Sequence, residues 1–140
     1  MAIPVVAINY LAVLVSAIVG YGVGMLWYSV LFGKPWAELM GFDKKKMEEM
    51  KKAGMARTYA GGFVATLVMS YVLAHIVKFA QAATITDAVM AGFWTWLGFI
   101  ATVMLGTVLW EGKPVKLYLI NVFHYLVVLV AMASILTLWA

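Results

Sequence analysis

Long apolar tracts, interrupted by charge at only three places, organise this chain. Residues 1–33, 58–77, 88–110 and 117–140 contain no charged side chain. A helix rises about 1.5 Å per residue and a bilayer's hydrocarbon core is about 30 Å thick, so about 20 residues make one crossing. Each tract meets that length. The tracts are apolar at consecutive rather than alternate positions, and an unsatisfied backbone amide in lipid is expensive, so the pattern predicts helices and not barrel strands. The fold class that follows is all-α: a polytopic membrane protein whose single domain, residues 1–140, is a bundle of four transmembrane helices.

Punctuation refines the spans, which are expected over about 4–32, 58–80, 86–110 and 114–139. Pro4 suits a first helical turn, where its missing N–H costs nothing. No basic residue precedes this tract and it is longer than a signal peptide's apolar core, so it reads as a retained span. Thr84 and Asp87 have capping-box spacing at the head of the third span. Gly112 and Pro114 are placed to stop that span and start the fourth, which makes the two an antiparallel hairpin.

The only sizeable polar segment is the connector 34–57, with seven of the ten basic residues and four of the six acidic ones. Asp43 can cap a short amphipathic helix there and Gly54 can end it. On that helix Lys44, Lys45, Lys46, Lys51 and Lys52 are candidate lipid-headgroup contacts, each worth about 1 kcal/mol beside anionic lipid. A solvated charged connector is the alternative reading.

Small residues recur every fourth position within three of the spans: Ala12, Ser16, Gly20 and Gly24; Gly62, Thr66, Ser70 and Ala74; Gly98, Thr102 and Gly106. Such spacing lines them along one face and lets another backbone approach closely, so each set is a predicted helix-packing seam. For Gly20, Gly22 and Gly24 the alternative is a broken helix lining a pathway.

Polar side chains inside the hydrocarbon are few. Asn121, His124 and Tyr125 are spaced to face one direction on the fourth span. Groups at such depth usually face the bundle interior or a wet cavity. With Asn9, Thr66 and Ser70 they form the candidate polar intramembrane site, the bland alternative being hydrogen bonds between helices or to a neighbouring subunit. Trp94 and Trp96 are expected near the outer boundary and Trp110 at the inner one, where amphipathic rings prefer to sit.

Composition sharpens this picture chiefly by exclusion. The chain is 66% apolar and 11% charged, against norms of about half and about a quarter, and a water-soluble domain could not hide so much apolar surface. There is no cysteine, hence no disulfide, thiolate nucleophile or sulfur-ligated metal. The two histidines fall on different spans and the ten methionines have no ligand spacing, so neither metal nor cofactor is expected. Neither a phosphate-binding loop nor a serine elbow occurs, so no catalytic residues are assigned and enzymatic activity is not the favoured reading. The basic run lacks groove-reading or stacking elements and points to no nucleic acid.

Leu26-Trp27-Tyr28-Ser29, Phe32-Gly33-Lys34-Pro35-Trp36, Trp110-Glu111-Gly112 and Ile120-Asn121 together resemble a family of small bacterial four-helix membrane proteins catalogued as a domain of unknown function. The resemblance spans nearly the whole chain. It implies the same fold and a bacterial cytoplasmic membrane location, and it carries no activity.

Three functions fit these residues. The first is an oligomerising structural or accessory subunit that contacts a second copy or another membrane protein through its seams. The second is a transporter or channel for a small neutral or weakly polar solute. The third is a lipid- or quinone-interacting enzyme or sensor. Nine of the ten basic residues fall on the side of the 34–57 connector and the 111–116 turn, and Lys78 alone on the other. The positive-inside rule then places both chain ends outside the cytoplasm. A reporter fused after Ala140 is expected to be active only on the extracytoplasmic side, and cytoplasmic activity of that fusion would overturn this topology.

Overall fold

The structure, a computed structural model, describes residue 3 and residues 5–140. Pro4, expected to open the first span, lies outside the described residues. The first helix, α1 (Tyr10–Leu26), starts later than the apolar pattern alone suggests. The reason is Asn9, whose extended backbone and side-chain oxygen, accepting from the Ala12 N–H at 3.2 Å, make it the N-cap. Its Nδ2 donates to the Trp139 carbonyl at 3.1 Å, tying the head of α1 to the tail of the last helix.

A π-helical turn, Trp27–Leu31, prolongs α1. Two short helices, α2 (Gly33–Leu39) and α3 (Lys44–Lys52), form the connector. Asp43 caps α3 by accepting from Lys46 N at 2.7 Å, and Gly54 follows it at φ +87°, a left-handed conformation that suits glycine at a helix end. Next come α4 (Ala56–Phe79) and α5 (Ile85–Trp96). Thr84 and Asp87 form a capping box at the head of α5, each side chain accepting from the other's backbone N–H. A second π turn, Leu97–Ala101, leads to α6 (Thr102–Met104) and α7 (Gly106–Leu109), and α8 (Val115–Leu138) closes the chain.

Four of these stretches are long and apolar enough to cross a membrane: Tyr10–Leu31, Ala56–Phe79, Ile85–Leu109 and Val115–Leu138. No strand occurs among the described residues. The chain is a multi-pass helical membrane protein whose outer faces meet lipid.

α8 is the hub. It packs against α1, α4 and α5, and ten of its residues are buried, including Val122, Val128, Met132 and Ala133. Lipid tails are as apolar as leucine, so what holds helices together here is close packing and hydrogen bonds. Both are visible. A Cβ on Gly92 of α5 would lie 3.2 Å from the Leu129 carbonyl oxygen and 3.2 Å from the Val130 Cα, so the two backbones nearly touch. On the opposite flank Gly20 of α1 faces Met132 and Val128. Two indoles then pin α8 from its two sides: Trp27 Nε1 donates to the Ile120 carbonyl at 3.0 Å and Trp96 Nε1 to the Val122 carbonyl at 2.6 Å.

The seams of the first two spans are used inside the chain. Ala12, Ser16 and Gly20 are buried, as are Ser70 and Ala74, and Gly62 lies under the Tyr21 ring. The third is not used inside the chain. Gly98 and Thr102 are exposed, nothing stands within 4 Å of a Cβ built on Gly98, and the nearest neighbour of Gly106 is Trp110 of its own span. The face that packs on α8 is instead Ala88, Gly92, Trp96 and Ala101. Gly98 is two residues past Trp96 and so about 200° around the helix from this face, while the π turn stretches the last interval, Trp96 to Ala101, from four to five. Trp96 is accordingly a buried packing residue with a bonded indole rather than a boundary residue, while Trp94 is exposed.

Gly92→Leu is therefore expected to lower the thermal unfolding midpoint in detergent, with the cost of overpacking at about 1–3 kcal/mol or more. Gly98→Leu should leave the midpoint unchanged or raise it, since leucine is the better helix former.

Candidate functional site

A cavity of about 650 Å³ lies between α1, α4 and α8, in the half of the bundle nearest the connector. α1 and α4 are drawn together above it by Ser70 Oγ donating to the Val13 carbonyl at 2.9 Å, and toward the connector by Tyr21 Oη donating to the Tyr59 carbonyl at 2.8 Å. Over the same length Gly20 and Gly24 of α1 pack against Met132 and His124 of α8, Gly62 of α4 lies under the Tyr21 ring, and all three line the cavity. The rim is open on the outer face, where Met25, Leu26 and Tyr59 are each about half exposed (55%, 52% and 51%). In a membrane that face meets acyl chains.

α8 supplies the polar floor. His124 is 8% exposed, and neither ring nitrogen has a hydrogen-bond partner. Aromatic rings surround it: Tyr125 at 4.6 Å, Tyr28 at 4.9 Å and Trp27 at 6.2 Å between centroids. A Cβ on Gly24 would stand 3.0 Å from its Nε2, so the absence of a side chain there is what admits the imidazole. Asn121, one turn away, accepts through Oδ1 from Tyr28 Oη at 2.7 Å. The first π turn thus presents adjacent side chains, Trp27 and Tyr28, to adjacent residues of α8, Ile120 and Asn121.

The six polar residues expected to form one intramembrane site do not all meet. Thr66, His124 and Tyr125 line the cavity, and Asn121 stands behind it through Tyr28. Thr66 Oγ1 donates to the Gly62 carbonyl of its own helix at 2.9 Å. Ser70 is fully buried in the α1–α4 contact, and Asn9 is a cap at the far end of the bundle. The lysines of α3 lie on exposed surface, Lys46 with its Nζ 5.6 Å from the Phe42 ring centroid. Residues that sequence reasoning missed are Tyr21, Tyr28 and Tyr59 on the cavity wall and Trp27 behind His124. A signal was present: Tyr21, Gly24 and Tyr28 sit three and four apart, which puts them on one helical face.

Among the described residues no three His, Asp or Glu side chains converge as metal ligands. No Asp, Glu, Lys or Arg is among the residues that line the cavity with His124. The arrangement is suited to binding: a volume within the range of about 300–1,000 Å³ typical of small-molecule sites, apolar and aromatic walls, and a few polar groups.

The family model described as "Protein of unknown function (DUF1761)" matches residues 11–137, and the chain belongs to that family. No curated protein and no solved structure matches the chain.

The Gly24–His124 contact generates a paired test. Gly24→Ala is expected to displace the imidazole and shift the His124 ring nitrogen resonances in detergent, because its methyl would sit 3.0 Å from Nε2. Gly22→Ala, with nothing within 4 Å, should leave them in place.

Proposed function

We propose that this member of the DUF1761 family is a binding protein of the bacterial cytoplasmic membrane that takes up a small amphipathic molecule dissolved in the bilayer. The molecule enters sideways between α1 and α4 and rests beside His124. The observation that carries this reading is the combination of a 650 Å³ cavity, a rim on the lipid-facing surface, and a buried imidazole with both nitrogens unpaired at its wall. A buried polar group without a partner costs free energy that a bound ligand can return. Of the three functions open to the sequence this is the lipid-facing one, as a sensor or carrier rather than an enzyme.

In this reading, by the positive-inside rule, the cavity lies in the inner leaflet, with the connector in the cytoplasm, the α3 lysines near anionic headgroups and both chain ends outside. A transmembrane path for polar solutes has less support, because the side chains that would line it diverge: Asn9 bonds to Trp139, and Ser16 and Ser70 are wholly enclosed in packing. A homo-oligomer or a partner membrane protein keeps one specific feature in its favour, the exposed small-residue face of Gly98 and Thr102, which packs against nothing in this chain.

Native mass spectrometry of protein extracted gently from its own membrane tests the binding reading. The parent is expected to carry a noncovalent small molecule. Thr66→Phe, which places a ring in the cavity at the cost of only one intrahelical hydroxyl bond, is expected to carry none. The same bound mass on a folded Thr66→Phe protein would sink the proposal.

A further inference from the structure

We infer that the molecule this cavity takes is a cation: an alkylammonium or other weakly hydrated organic cation on an apolar body. The inference rests on the binding reading above and adds the ligand's charge.

The wall offers electron density and little to receive it. Six hydroxyls line the cavity, those of Tyr21, Tyr28, Ser29, Tyr59, Thr66 and Tyr125. Four have already given their hydrogen to the protein: Tyr21 to the Tyr59 carbonyl, Tyr28 to Asn121 Oδ1, Thr66 to the Gly62 carbonyl and Ser29 to the Met25 carbonyl. A hydroxyl has one hydrogen and two lone pairs, so these four can present only lone pairs to an occupant. The tyrosine rings themselves carry negative π faces. The thioethers of Met25 and Met69 are soft acceptors without a hydrogen to donate.

Equally informative is the kind of side chain that does not line this space. Among the residues around the cavity there is no lysine or arginine to receive a carboxylate, phosphate or sulfonate, and no aspartate or glutamate to bind a small hydrated ion. Aromatic faces without a full counter-charge favour cations that have little water to lose, such as quaternary ammonium groups. An entrance from the lipid side selects for an apolar body on the same molecule. Two sources have this chemistry, the ammonium headgroup of a zwitterionic phospholipid and a free lipophilic cation.

Tetraphenylphosphonium and tetraphenylborate, near-identical in size and apolarity and opposite in charge, separate charge from mere hydrophobicity. The full chain is held in uncharged maltoside micelles and each ion is titrated by equilibrium dialysis, with empty micelles subtracted. Saturable binding of tetraphenylphosphonium, at least tenfold tighter than tetraphenylborate, is expected, to be lost in Thr66→Phe. Tyr125→Phe is expected to keep that binding because it keeps the ring face, and Tyr125→Leu to weaken it severalfold. Equal or tighter saturable binding of tetraphenylborate, lost in Thr66→Phe, would overturn the charge assignment and leave the binding site standing. Saturable binding of neither ion would overturn the charge assignment, and an empty parent in native mass spectrometry would then remove the site as well. With the cation bound, displacement by added phosphatidylethanolamine or phosphatidylcholine and not by phosphatidylglycerol identifies a lipid headgroup as the source. Displacement by none of the three identifies a free cation.

Discussion

Everything in this bundle depends on how closely α1 and α5 approach α8. Inside a bilayer there is no water to drive apolar helices together, so their association rests on intimate contact and on hydrogen bonds that have no competitor. Glycine supplies the first: Gly92 brings α5 against the backbone of α8 at Leu129 and Val130, and Gly20 and Gly24 bring α1 against Met132, Val128 and His124. Indoles supply the second. A helical carbonyl keeps a spare lone pair after its intrahelical bond, and Trp27 and Trp96 donate to two such groups, on Ile120 and Val122. α8 is thereby gripped from both sides at nearly the same level.

The cavity is the other face of the same constraint. The glycines of α1 that permit contact with α8, and Gly62 under the Tyr21 ring, also line the cavity. Space opens where three helices meet but side chains are lacking, and the aromatic residues at its edges keep it from collapsing: Tyr21 spans from α1 to the Tyr59 carbonyl with its ring edge against Phe63. Packing and binding therefore share residues. Gly24 both seats the fourth helix and admits the imidazole at the cavity wall, so no substitution there can alter one role alone.

Much of the fold was legible in the residues because lipid imposes length and charge rules that a single chain displays openly. The four crossings, the Thr84–Asp87 capping box, the Asp43 cap and the turn at Gly54 all follow from local chemistry, and the structure has each of them. What was not legible depended on partners far along the chain. Counting in fours finds the Gly98–Thr102 face but does not say that it lies opposite the Ala88, Gly92 and Trp96 face that meets α8. Asn9 reads as a buried amide until the helix is seen to begin one residue later. Of the candidate site, Asn121, His124 and Tyr125 were found by spacing on one helix, but their surroundings were not, since Tyr28 meets Asn121 across 93 positions of sequence.

The most direct test is a through-space nuclear magnetic resonance contact between Gly24 Cα and His124 Nε2, recorded on the isotope-labelled chain in lipid bilayers. A strong contact is expected, because α1 meets α8 at Gly24 with the imidazole turned against it. If Gly24 instead shows contacts to acyl chains and none to His124, α1 does not lie against α8 there, and neither the packing nor the cavity described above can be right.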